Sequence, residues 1–257
     1  MNMTQDERRI WLIRALSEEL QYQNGTIPQE DFRQKKLLRA LLNVRPPMAA
    51  SEAFLAVQDA YLREAIAEKG VTRLSDLTPV RPHRYLWRGD ITTLAVDAIV
   101  NAANAALLGC FSPNHACIDN AIHTYAGVQL RLACHKIMQA QGHEEPTGGA
   151  KITPGFNLPA TYVVHTVGPI VYGPLREHHE KLLASCYRSC LGTAEANGCK
   201  SIAFCCISTG VFCFPNRRAA EIAIETVDEY AAETGSEIDV IFNVWKEQDD
   251  AIYRSLL

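Results

Sequence analysis

No stretch of the 257 residues approaches the roughly 18 uninterrupted apolar positions that a membrane-spanning helix needs. The opening segment, MNMTQDERRIWLIRALSEEL, breaks its apolar residues with charges every few positions and has no signal-peptide core. The expected location is therefore cytoplasmic, with no membrane partner. A surplus of positive charge is also missing: 25 Lys and Arg stand against 29 Asp and Glu, a net charge of −4. A protein that coats nucleic acid needs a basic face, so no nucleic-acid polymer is expected. A single nucleotide held by backbone amides is not excluded. Finally, residues 1–80 contain neither cysteine nor histidine, and their eleven basic and eleven acidic residues cancel. No catalytic constellation is visible there.

What is present divides the chain in two. The whole net charge, all 9 cysteines and all 8 histidines fall in residues 81–257. An odd cysteine count in a cytosolic chain points to metal binding, catalysis or core packing rather than disulfides. With 47% hydrophobic and 21% charged residues, the chain is globular rather than disordered and long enough for one or two domains. The front reads as three amphipathic helices. Ile10, Ile13, Leu16 and Leu20 recur at helical spacing, and Asn24-Gly25 ends that run. A second helix spans Pro28 to Val44, stopped by Pro46-Pro47. A third starts from Ser51 as N-cap and ends at Gly70. Three short helices need a surface to pack on, so residues 1–78 are expected to form a helical extension docked on a body of residues 79–257.

The body alternates strands and helices. β-branched runs occur at Asp97–Val100, Tyr162–Val167, Ser201–Ile207 and Ile238–Val244. Helical stretches occupy Ala116–Ala126, Val128–Ala140, Arg176–Asn197 and Arg217–Thr234, with a last short helix over Asp249–Leu257. This order predicts an α/β sheet covered on both faces. Ligands of such sheets bind beyond the carboxyl ends of the strands, which directs attention to the loops after Val100, Val167 and Ile207.

In the first of these loops Cys110, His115 and Cys117 lie within eight residues, spaced C-x4-H-x-C. Thiolate and imidazole suit Zn²⁺, and three protein ligands with one open position is the pattern of a catalytic zinc. The same residues also fit core thiols beside a satisfied histidine. In the last loop, Ser208-Thr209-Gly210-Val211-Phe212 joins a strand to a helix, a place where turned-in amides bind phosphate or merely form an ordinary turn.

The ordered blocks GDIT (Gly89–Thr92), VDAIVNAAN (Val96–Asn104), LLG (Leu107–Gly109), AIHTYAG (Ala121–Gly127), TPGFNLPATYVVHTVGP (Thr153–Pro169) and ISTGVFCFPNRRAAEIA (Ile207–Ala223) resemble a macrodomain over residues 84–257. CFSPNHACIDN stands where most macrodomains carry a glycine run. That departure is similar to the zinc-containing subclass of microbial protein-ADP-ribose hydrolases, which also carries a helical N-terminal extension.

The resemblance implies a three-layer α/β/α fold with a central mixed sheet. It implies that Asp90 accepts from the adenine amino group with Ile91 beside it, and that Asn104 lies near the distal ribose. Cys110, His115 and Cys117 would hold Zn²⁺, with Ile118, Asp119 and Asn120 following in the catalytic loop. Ser208, Thr209, Gly210, Val211 and Phe212 would bind the diphosphate. The catalytic set implied is Asn104, Cys117 and Asp119, although Asp119 suits a helix N-cap nearly as well, while His123 and His165 read as satisfied framework histidines. The implied activity is zinc-dependent removal of mono-ADP-ribose from protein side chains. A sirtuin-like ADP-ribosyltransferase and a lipoyl-carrying glycine-cleavage-H-like protein are the implied partners. A reader that binds ADP-ribose without cleaving it, and a hydrolase of small derivatives such as O-acetyl-ADP-ribose, remain open.

Overall fold

A computed structural model describes residues 3–22 and 26–257. The helix stop expected at Asn24-Gly25 lies outside the described residues. Three helices form the front: α1 (Gln5–Glu19), α2 (Asp31–Val44) and α3 (Glu52–Lys69). Thr4 opens α1 with a capping box closed by Glu7, and Ser51 caps α3 by accepting from the Phe54 amide. Leu12, Ile13, Leu16, Leu38, Leu41, Phe54 and Leu62 meet in a small core of their own, which takes in Val128 from the body. Arg45 is buried beneath it. Its guanidinium forks onto both Glu19 oxygens at 2.7 Å and reaches the carbonyls of Met48 and Ala49, so the buried charge is fully partnered.

The chain then runs through a two-residue strand β1 (Thr72–Arg73), paired in parallel with β3 (Leu94–Ala95). The main sheet has the order β2-β8-β7-β4-β6-β5. Its members are β2 (Arg84–Arg88), β4 (Ala98–Ala103), β5 (Ala150–Pro154), β6 (Tyr162–Val167), β7 (Ser201–Phe204) and β8 (Asp239–Val244). Five strands are parallel and β5 runs antiparallel to β6, making the sheet mixed. Helices α4 (Ile118–Ala126), α5 (Val128–Gln141), α6 (Glu177–Ala196), α7 (Asn216–Thr234) and α8 (Glu247–Leu256) cover it. Alternate residues of β6 face opposite ways. His165 points to Cys134 of α5, and Thr166 to the thiols of Cys186 and Cys190 on α6. The sheet is thus sandwiched, and the α/β expectation holds.

Some boundaries move. β4 continues past Val100 through Asn101-Ala102-Ala103, because its pairing with β6 extends to Ala103↔Val167. β7 stops at Phe204, short of Ile207, where its pairing with β8 ends. β2 and β5 have no counterpart among the expected strands. Both are sheet edges: β2 carries arginine at each end, and β5 contains Lys151 and ends on Pro154, residues that edges tolerate and central strands do not. α4 begins at Ile118 rather than Ala116, since Cys117 is extended and serves as its N-cap. Ile66 of α3 belongs to the main core, so the extension is packed into the body rather than tethered to it. Among the described residues, no helix is long and apolar enough to cross a membrane.

Candidate active site

Because β2, β8, β7, β4 and β6 are parallel, their carboxyl ends share one edge. The segments holding Asp90, Asn104, Gly168 and Ser208 leave the sheet there, as expected for a ligand site of an open α/β sheet.

Asp90 follows β2. Gly89 is pinned to β8 by its amide on the Val244 carbonyl (3.1 Å) and by Asn243 Nδ2 on its own carbonyl (2.9 Å). Asp90 Oδ1 accepts from Thr92 N (3.0 Å) and Thr92 Oγ1 (2.6 Å), closing a 3-10 turn that buries Ile91. Oδ2 accepts from Lys69 Nζ at the end of α3 (2.8 Å). Burial alone would raise this carboxyl, but the hydrogen bonds from Lys69 and Thr92 outweigh it and hold it below the ordinary aspartate range. Asp90 is therefore a carboxylate at neutral pH, and Oδ2 keeps a lone pair for a further donor.

The loop after β7 leaves three consecutive amides unspent among the described residues. Ser208 takes a left-handed conformation (φ 65°), and its carbonyl accepts from Phe214 N at 3.0 Å. Cys213 N closes back onto the Gly210 carbonyl at 3.1 Å, and the Phe212 carbonyl accepts from Val171 N at 2.9 Å. None of the described residues accepts from the amides of Gly210, Val211 or Phe212. Consecutive unspent N–H groups are the kind of donor that can take a phosphate without net positive charge. Val211 is exposed and Phe212 half-buried, while Ser208 is buried with its hydroxyl unpartnered among the described residues.

The loop after β4 has no regular structure from Asn104 to Cys117. Leu107, Gly109 and Asn114 all adopt positive φ. Gly109 combines that conformation with a close approach: a Cβ there would lie 2.7 Å from Cγ of the buried His123 ring. The donor atoms of Cys110, His115 and Cys117 lie within 4.8 Å of one another. Tetrahedral zinc, with bonds of about 2.0–2.3 Å, sets such atoms roughly 3.5–3.8 Å apart, so only a small contraction separates the three from a ligand set. His115 Nδ1 is buried with no partner among the described residues. Burial pushes the Cys117 thiol up to about 11, with the neighbouring Cys110 adding to the rise; a thiolate forms at neutral pH only beside a cation. An orphaned ring nitrogen and two converging sulfurs fit a soft divalent metal better than they fit core packing.

Behind this loop lies a buried polar network. Asp119 Oδ1 accepts from Asn101 Nδ2 (2.8 Å) and sits 3.5 Å from His123 Nε2, and its Oδ2 is 3.5 Å from Asn104 Nδ2. Burial pushes the Asp119 carboxyl up to about 6. Asn104 spends its amide on the loop, donating to the Gly109 carbonyl (3.0 Å) and accepting from Ala106 N (3.1 Å). Asn120 is fully buried and donates to the carbonyls of Ser112 (3.0 Å) and Cys110 (3.4 Å). Ile118 opens α4, half-buried against the main core. His165 is held by Asn101 and Thr153, and burial lowers it to about 3, as burial also lowers His123. Burial keeps both rings neutral, but only His165 is the satisfied framework histidine expected; neither ring nitrogen of His123 has a hydrogen-bond partner among the described residues.

Sequence reasoning missed Arg39, Asn43 and Lys69, which the extension contributes, and Arg131 of α5, whose Nε donates to the Leu108 carbonyl at 2.7 Å. Nothing in local spacing marks them, because their partners are 21 to 81 residues away.

Residues 100–223 match the Macro domain family. A relative from Treponema medium, named protein-ADP-ribose hydrolase, is 58% identical over 99% of this chain and 100% of its own length. One from Staphylococcus aureus, of the same name, is 52% identical over 85% of this chain and 83% of its own. The Trypanosoma brucei macrodomain, solved in complex with ADP-ribose, superposes with a TM-score of 0.66 at 33% identity, covering 85% of this chain and 94% of that one. The chain therefore belongs to the macrodomain family. The match to the Treponema medium relative extends that kinship over the N-terminal helices.

Proposed function

We propose that the chain removes mono-ADP-ribose from modified protein side chains, with Zn²⁺ held by Cys110, His115 and Cys117 beside the distal ribose. The observation that carries this reading is the convergence of those three donors, one ring nitrogen orphaned, at the same sheet edge as Asp90 and the unspent amides of residues 210–212. The kinship with proteins named protein-ADP-ribose hydrolase supports the activity.

The roles follow from position. Asp90 takes the adenine amino group on Oδ2 with Ile91 packed behind, and Ser208, Thr209, Gly210, Val211 and Phe212 wrap the diphosphate. This remote binding energy fixes the scissile bond at the loop of Cys110–Cys117. Bound zinc supplies Lewis acidity there. Asn104, Asp119 and Asn120 form the wall behind the bond: Asp119 places negative potential where positive charge grows on the sugar, and Asn104 and Asn120 fix the backbone of Gly109, Cys110 and Ser112. A sirtuin-like ADP-ribosyltransferase as supplier of the modification, and a lipoyl-carrying glycine-cleavage-H-like protein as its bearer, complete the reading on the strength of the subclass resemblance.

The test compares wild type with Cys117→Ala for metal content and for release of ADP-ribose from a modified protein, with O-acetyl-ADP-ribose assayed in parallel. One zinc per wild-type chain, and loss of both metal and turnover in the variant, is the expected result. Equal turnover by the two proteins removes the metal from the reaction. Binding of ADP-ribose without release from either substrate makes the protein a reader. Turnover confined to O-acetyl-ADP-ribose makes the substrate a small derivative.

A further inference from the structure

The loop that carries Cys110, His115 and Cys117 has few backbone hydrogen bonds of its own, among them His115 N to the Ser112 carbonyl at 3.2 Å. It lacks helix and strand, and backbone polar groups in such a segment need partners from outside. Helix α2 of the extension provides them. Asn43 is buried, 1% exposed, and its Oδ1 accepts from the amide of Asn114 at 2.9 Å. Asn114 is the left-handed residue (φ 56°) immediately before His115. One turn earlier on the same face of α2, Arg39 donates from Nη2 to the His115 carbonyl (3.1 Å) and from Nε and Nη2 to Asn120 Oδ1 (3.1 and 2.8 Å). Asn120 passes the constraint on, with its Nδ2 on the carbonyls of Ser112 and Cys110 and its amide on Cys117 Sγ at 3.4 Å. Asn43 Nδ2 meanwhile holds Thr124 Oγ1 (3.0 Å), which itself donates to the Asn120 carbonyl (2.7 Å). Arg39 thus touches one of the three candidate ligands directly, at the His115 carbonyl, and bears on Cys110 and Cys117 through Asn120.

We propose that Arg39 and Asn43 are positioning residues of the metal loop, and that the N-terminal extension exists in part to hold residues 110–120 in the conformation that converges the three ligands. The proposal rests on the zinc reading above. Groups that orient metal ligands from outside commonly contribute ten- to hundredfold in metal affinity, and the fork of Arg39 has a geometry that lysine cannot reproduce.

The full-length protein is titrated with zinc against a chelating dye. Arg39→Ala and Asn43→Ala are expected to bind zinc about ten- to a hundredfold more weakly than wild type. Arg39→Lys should recover only part of that loss. Leu38→Ala, which truncates the small core on the same helix, lowers thermal stability but should bind zinc as wild type does, separating loop positioning from general support of the fold. Amide hydrogen exchange of the metal-free proteins is read alongside, with faster exchange at Asn114 expected in the Arg39 and Asn43 variants. Wild-type zinc affinity in both alanine variants overturns the proposal. If the wild type itself takes up no zinc, the metal reading fails separately. Exchange at Asn114 then decides the brace, and unchanged exchange in both variants overturns it.

Discussion

In the proposed site one carboxylate, that of Asp90, serves the fold and the ligand together. Oδ1 is spent on Thr92, which shapes the turn, while Oδ2 is shared between Lys69 and whatever approaches from the sheet edge. Lys69 Nζ also lies over the Tyr125 ring, 3.4 Å from its centroid, so the cation is held from two sides and does not swing freely across the pocket. Replacing Asp90 removes an acceptor from Lys69 and, in the proposed site, from the adenine amine as well. Asp90→Ala is expected to weaken ADP-ribose binding by about 1–3 kcal/mol, the cost of leaving buried donors unmet. Calorimetry on the folded variant measures it, and an unchanged Kd would move the adenine pocket elsewhere.

At the scale of elements, the metal loop and the sheet are separable. The three proposed ligands span eight residues at the edge of a domain whose core is formed by β4, β6, β7, β8 and the helices around them. A structural zinc that substitutes for a core unfolds its domain when removed; here removal should free the Cys110, His115 and Cys117 side chains while the sheet, and the loop backbone held by Arg39 and Asn43, stay in place. Chelation of the metal-loaded protein is expected to abolish turnover while far-UV circular dichroism stays native and ADP-ribose affinity falls much less. Global unfolding on chelation would make the site structural. The same separation explains what was legible in the sequence. The four buried strands β4, β6, β7 and β8 carry dense β-branched runs, and the three ligands stand close together in the chain, so both could be read locally. β2 and β5 are edge strands with charged residues or proline, which hides their period. The metal loop's outer support comes from α2, where Arg39 and Asn43 look like ordinary polar positions of an amphipathic helix. Their roles exist only once residues 71 to 81 positions apart are brought together.

For the molecule as a whole, the two cores meet at the polar layer beneath the site, and that layer makes stability depend on pH. Burial lowers His165 from the ordinary imidazole value of 6.5 to about 3. The sign follows from proton counts: below 6.5 the unfolded chain takes up a proton at this position, while the folded chain does not until about 3. Acid therefore favours unfolding, at about 1.36 kcal/mol per pH unit across that window. Near pH 5 the loss from this one ring is about 2 kcal/mol relative to neutral pH, a substantial share of a typical domain's margin. His123 contributes in the same direction, because burial lowers it as well. Asp119 opposes both, since burial raises its carboxyl to about 6 and the folded chain then protonates it before the unfolded one does. The net slope of the wild type mixes the three, so the comparison must isolate one. His165→Gln keeps hydrogen-bonding capacity toward Asn101 and Thr153 but does not titrate. Denaturant unfolding of both proteins at intervals from pH 7.5 to pH 4.5 should show the variant less stable at neutral pH, through imperfect packing, yet losing less stability on acidification. The gap between the two curves should narrow by about 2 kcal/mol by pH 5. Parallel curves would mean that His165 is not held neutral in the folded protein, and the buried layer would have to be charged rather than a neutral frame for the site.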